Sequence, residues 1–114
     1  MKPFNTRMKR PEEKIQDAIR DKLHLLGWFT IKLHGNQFQS GMPDLYATHS
    51  RYGCRLIEVK NPTGYHFTAA QLEVFPKLVA HGSPVWVLIS DQDDEIKKLF
   101  GPANWHLYLY AGRV

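Results

Sequence analysis

Two charges sit inside a run that otherwise reads as a buried strand, Leu56-Ile57-Glu58-Val59-Lys60. Alternate residues of a strand share a face, so Glu58 and Lys60 emerge together while Val59 points the other way, into a core. A core strand carries charge only where that charge is paired, hydrogen-bonded or bound to a metal. Fourteen positions before Glu58, Gly41-Met42-Pro43-Asp44 supplies a second carboxylate, followed at once by apolar Leu45. Each fragment alone reads as a turn residue after proline or a solvated strand face. Together, on neighbouring strands, they bring two hard oxygen ligands and a cation to one surface. Mg²⁺ is held by such groups, typically one or two carboxylates with phosphate oxygens and several retained waters.

The rest of the chain places these fragments in an α/β framework. Residues 11–26 predict a helix: Pro11 suits a first turn, Glu12 and Glu13 complement the helix dipole, and Gly27 can end it. Ile15, Ile19, Leu23 and Leu26 form its apolar stripe. Glu12, three residues before Ile15, lies on the core-facing side, whereas Glu13 turns away with Asp17 and Arg20. A strand at 28–33 and a polar, glycine-bounded loop at 34–41 lead into the Asp44 strand. Loops beside a catalytic strand end concentrate ligand contacts, which makes His34 a candidate for phosphate contact, with helix capping or solvent exposure as the alternative. The Glu58 strand spans 55–60, after a turn at 50–53 that suits a hairpin.

Beyond it, Thr68 can cap a helix running to about residue 81, which Pro76 is expected to kink or end early. Residues 85–89 are apolar throughout, as in a buried parallel strand. Ser90 or Asp91 then caps a short helix, and the acids Asp91, Asp93, Asp94 and Glu95 suit its first turn better than a metal site. Residues 105–110 are expected to form a last strand, its alternating aromatics serving as core or as a subunit contact. The expected fold is a mixed β-sheet flanked by helices, in the order helix, three strands, helix, strand, short helix, strand.

Charge is distributed unevenly. Residues 1–10 hold Lys2, Arg7, Lys9 and Arg10 and no acid, while the other eleven basic residues are matched by eleven acids. The formal excess of +4 therefore belongs to a basic N-terminal arm, which suits salt-sensitive contact with nucleic-acid phosphates; a plain soluble tail is the alternative. Residues 11–114 are expected to form one domain, since 114 residues suffice for a single core only. No apolar run approaches the ~20 residues of a membrane span, and no leader pattern opens the chain. Cys54 is the single cysteine, so no internal disulfide can form, and an intracellular, cytoplasmic location is expected. The six histidines lack zinc-ligand spacing.

Pro43-Asp44 and Glu58-Val59-Lys60 resemble the signature of the PD-(D/E)XK nucleases, which share the restriction-endonuclease-like fold. The context narrows the likeness. The segment from Glu12 to Ile19, with Glu12 three residues before Ile15-Gln16, is similar to the family's first helix; Gly41 to Leu45 is similar to its second strand. Glu58 to Gly64 followed by Thr68 to Gln71 is similar to its third strand, turn and next helix. In this order the set most resembles the stand-alone VRR-Nuc (virus-type replication-repair nuclease) domains of phages and bacteria, over roughly residues 10–90.

The resemblance implies a Mg²⁺- or Mn²⁺-dependent DNA endonuclease. Glu12, Asp44, Glu58 and the Val59 carbonyl would hold one or two ions. Lys60 would orient or deprotonate the attacking water, and Gln71 would hold that water or Lys60 in line. It also implies a homodimer acting on Holliday junctions or other branched DNA in replication, recombination or repair. The alternatives are a monomeric nicking or flap nuclease, and a catalytically inactive nucleic-acid-binding module on the same fold.

Overall fold

The structure, a computed structural model, describes residues 8–33 and 39–111. Helix α1 (Pro11–Leu25) leads into strands β1 (Phe29–Lys32), β2 (Leu45–His49) and β3 (Gly53–Val59). Helix α2 (Ala69–Ala80), strand β4 (Val85–Leu88), a short α3 (Asp93–Ile96), a 3₁₀ turn (Lys97–Phe100) and α4 (Trp105–Ala111) follow. The four strands are ordered β1-β2-β3-β4; the first two pairings are antiparallel and the third is parallel. The α/β class, the mixed sheet and the expected order hold as far as α3. No described helix is long and apolar enough to cross a membrane.

The register assigns each strand residue to one of two faces. Leu45 lies opposite Ile57, and Tyr46 opposite Leu56, so the pleat separates the Leu45-Ala47-Ile57-Val59 face from the Leu56-Glu58 face. On the first face, Ile19 and Leu23 of α1 pack with Leu45, Ala47, Ile57, Val59, Trp86 and Leu88. On the second, Phe75 of α2 and Trp105 of α4 pack with Val85 and Val87, and Leu56 joins them. Val59 is thus core on one side while Glu58 faces α2 on the other. The helix α1 stripe differs from the expected one by a small rotation: Gln16, Ile19 and Leu23 are buried, Ile15 only partly. Leu26 is half exposed because the helix ends at Leu25 and leaves it as the cap, ahead of Gly27 at φ +91°.

The expected last strand is instead helix α4. Its aromatics satisfy both periods, but burial follows the helical one: Trp105 is buried and Tyr108 and Leu109 are partly buried, while His106 and Leu107 are exposed. The outer edge of β4 also has no need of a fifth strand at its centre. Asn104 accepts from the Val87 N–H at 2.7 Å and donates to its carbonyl at 3.3 Å, and Glu95 accepts from the Ile89 N–H at 3.0 Å. Side chains thereby occupy groups that an edge strand would otherwise offer to another chain.

Two smaller expectations also give way. Pro76 does not end α2 early, because Pro76 and Leu72, whose carbonyl loses its donor, both lie on the exposed side where water can substitute. Helix α3 starts after Gln92 with no side-chain cap; Ser90 Oγ accepts from the Gln92 N–H instead. Asp93, Asp94 and Glu95 do form its first turn, and Asp93 pairs with Lys22 of α1 at 2.7 Å.

Candidate active site

The connection into β2 is shaped by one glycine. Gly41 has φ +92°, and a Cβ there would lie 2.6 Å from the Ala70 carbonyl oxygen and 2.8 Å from Val74. Only glycine fits so close to α2, and the chain then passes through buried Pro43 to Asp44. Asp44 Oδ2 accepts from the Val59 N–H at 2.8 Å, so the first carboxylate is fastened to the end of β3. Continuing the β2–β3 register by two residues sets Pro43 opposite Val59. Proline has no N–H, so it cannot donate to the Val59 carbonyl. A strand residue sends N–H and C=O to the same side, and that carbonyl therefore faces the Asp44 side as a spare oxygen donor.

Glu58 and Lys60 are 2% and 4% exposed. Glu58 Oε2 forms an ion pair with Lys60 Nζ at 2.9 Å and accepts from Gln71 Nε2 at 2.8 Å. Lys60 Nζ also donates to Gln71 Oε1 at 3.1 Å and to the His66 carbonyl at 2.7 Å. Gln71 is at the same time the third residue of a capping box: its N–H donates to Thr68 Oγ1 at 3.1 Å, and its Oε1 accepts from the Thr68 N–H at 3.0 Å. Thr68-x-x-Gln71 thus starts α2 and delivers Gln71 to the two charges of β3.

Glu58 Oε1 is buried without a hydrogen-bond partner. Burial, and then the neighbouring Asp44 charge, push the Glu58 carboxyl up to about 8, although Lys60 and Gln71 act in the opposite direction. Burial also raises the Asp44 carboxyl, with Glu12 adding to it against the Val59 N–H and Lys60. The desolvation of two adjacent carboxylates outweighs a 2.9 Å contact with one ammonium. Both carboxyls are thereby held above the usual carboxylate range, with more buried negative charge than Lys60 alone offsets.

The donor set fits a hard divalent cation: two carboxylates, one with an orphaned buried oxygen, and a spare carbonyl, without thiolate or imidazole. Among the described residues no three Asp, Glu, His or Cys side chains converge closely enough to ligate one ion together. Glu12 is accordingly not drawn into a triad with Asp44 and Glu58. It stands half-buried in the first turn of α1, on the wall of a cleft of about 530 Å³ that Asp44, Glu58, Lys60 and Gln71 also line. Its charge reaches Asp44, which suits an acceptor for waters around an ion, since Mg²⁺ keeps several. Glu13 lines the same cleft.

Of the basic residues singled out in the sequence, Lys2, Arg7 and His34 lie outside the described residues. Arg10 lines the cleft as the cap of α1, while Lys9 pairs with Asp17, itself 3.2 Å from Lys32. Sequence reasoning missed Gln16, Asn61, Thr63, Tyr65 and His66, all of which line the cleft. Gln16 was within reach of a helical-wheel argument, one turn after Glu12 on the face of Ile19 and Leu23. The others follow Lys60 on a turn whose course depends on Asn61 Oδ1 accepting from the Thr63 N–H at 3.1 Å.

No protein-family model matches the chain, and no curated protein matches it. Among solved structures it is similar to a VRR_NUC domain, at a TM-score of 0.67 and 24% identity, over 82% of this chain and 98% of that one. At that identity the likeness is one of fold, and the chain has the mixed α/β fold of a VRR_NUC domain.

Proposed function

We propose that this chain is a divalent-metal-dependent DNA endonuclease. The observation that carries the reading is Glu58: a carboxylate 2% exposed, with one oxygen unpartnered, beside a second carboxylate and a buried lysine in a cleft. A stable protein gains nothing from this arrangement unless a cation completes it. Asp44, Glu58 and the Val59 carbonyl would hold Mg²⁺ or Mn²⁺, with Glu12 accepting hydrogen bonds from surrounding water. When bound, the ion supplies a lowered water pKa at neutral pH and charge neutralisation on the phosphate.

The chain's own groups do the rest. Lys60 presents an ammonium to a phosphate oxygen and orients the attacking water. Gln71 fixes Lys60 and Glu58 relative to each other through both ends of its amide. Arg10, at the cleft wall, and Lys9, with the rest of the basic arm, offer phosphate contacts. One such site cuts one strand per encounter, so a two-fold homodimer would suit branched or paired-strand DNA such as Holliday junctions, in phage or bacterial replication, recombination or repair.

The test is a panel of labelled duplex, nicked, flap and four-way-junction DNAs, incubated with Mg²⁺ or Mn²⁺ and resolved on gels. Cleavage that EDTA abolishes and Mg²⁺ restores, and that Lys60→Ala loses while still folded, is expected. Cleavage persisting in EDTA, or near wild-type turnover by Lys60→Ala, would sink the mechanism. Light scattering with and without junction DNA reports the assembly, and a strictly monomeric mass would leave a nicking or flap-cutting enzyme.

A further inference from the structure

The geometry points to Phe67 as a positioning residue for Lys60, an inference that rests on the nuclease reading above. Lys60 has a flexible four-carbon stem, and its ammonium has many places to be. Its Nζ lies over the Phe67 ring, 4.6 Å from the centroid. The ring face attracts the whole cation and consumes no N–H bond. Two ammonium N–H groups stay directed at Gln71 Oε1 and the His66 carbonyl, and the charge stays paired with Glu58 Oε2. A hydrogen-bonding partner in that place would instead compete with water and phosphate for the same donors.

The ring is itself held in orientation. Phe67 meets Phe75 at 6.1 Å, Trp105 at 6.2 Å and Tyr65 at 6.3 Å, each edge to face, and Phe75 meets Trp105 at 5.6 Å. Such contacts favour one ring plane over others. Phe67 is adjacent to His66, whose carbonyl takes one Lys60 N–H, so two consecutive residues hold the ammonium. The C-terminal helix α4 reaches the site through this bracket, by way of Trp105.

Phe67→Leu and Phe67→Met keep apolar bulk and remove the ring face; Phe67→Tyr keeps the face. If either aliphatic variant fails to fold, the other serves. With saturating Mg²⁺, loss of the face should lower kcat about 5- to 30-fold with KM for DNA nearly unchanged, and Phe67→Tyr should stay within about twofold of wild type. A second readout needs no catalysis. In protein carrying ¹³C-lysine, the Lys60 ε-methylene should be shifted upfield by the ring in wild type and Phe67→Tyr, and not in Phe67→Leu or Phe67→Met.

An unchanged kcat in folded Phe67→Leu, a Phe67→Tyr as impaired as Phe67→Leu, or an unshifted Lys60 ε-methylene in wild type would each overturn the inference. A wild type that cleaves no DNA yet shows the ring-dependent shift would refute the nuclease reading and leave the positioning geometry standing.

Discussion

Glu58→Gln should flatten the pH dependence of stability in the metal-free protein. The Glu58 carboxyl is pushed up from 4.5 to about 8 in the folded chain, chiefly by burial. Below its unfolded value both states hold the proton, and the group contributes no pH dependence. Between that value and about 8 the unfolded chain has released the proton and the folded chain retains it, so each rise in pH favours unfolding. Above about 8 the penalty is complete. At 1.36 kcal/mol per unit it amounts to roughly 5 kcal/mol, comparable with the whole stability of a small domain.

Glutamine mimics the protonated acid at this position. Its oxygen can accept from Gln71 and face Lys60 as Oε2 does, and its amide nitrogen can take the orphaned Oε1 position. Urea unfolding in EDTA at several values from mildly acidic to alkaline pH measures the difference. Wild type should lose stability steadily as pH rises, and Glu58→Gln should lose much less, the remainder coming from Asp44, which is shifted in the same direction. Mg²⁺ should restore wild type at alkaline pH, because it binds the deprotonated carboxylates and offsets their buried charge, and should do little for the variant. A wild type whose stability rises across this window, or an equal slope in the two proteins, would refute the argument.

Glu12→Gln should slow cleavage about 10- to 100-fold, as for groups that order the surroundings of an ion, while Glu13→Gln should act mildly; single-turnover rates decide, and the reverse ranking would mean the wrong glutamate serves the site. Gly41→Ala should cost at least about 2 kcal/mol, from a strained positive φ and a Cβ driven into the Ala70 carbonyl, measured by chemical unfolding. Asn104→Ala strands the Val87 N–H and carbonyl at the β4 edge and should destabilise by about 2–3 kcal/mol, read as a lower thermal midpoint.

The Asp44, Glu58 and Lys60 core of the site was legible in the sequence because a charge in an apolar strand demands a partner, and because strand spacing fixes which side chains share a face. Gln71 was named through the family resemblance, and its Thr68 cap was readable locally. Helix α4 was not, since its aromatics alternate well enough to imitate a strand. What decided the matter was Asn104, a side chain seventeen residues from the backbone it satisfies, and local pattern carries no trace of that. Pro76 misled in the same way: its cost depends on whether Leu72 meets water, which is a property of the packed structure. The turn after Lys60 was visible as a stop, but not as a cleft wall.

The capping box that starts α2 has a consequence for how the protein fails on warming. Helix ends fray before cores melt, and local openings are far easier than global unfolding. Here the residue at the fraying end, Gln71, is the one that clamps Glu58 to Lys60. A single turn of α2 that opens for a moment releases the clamp while the sheet and both cores persist. Turnover should therefore decline at temperatures where circular dichroism still reports an intact fold. The working range of this site would then be set by the lifetime of one helical turn rather than by the melting of the domain.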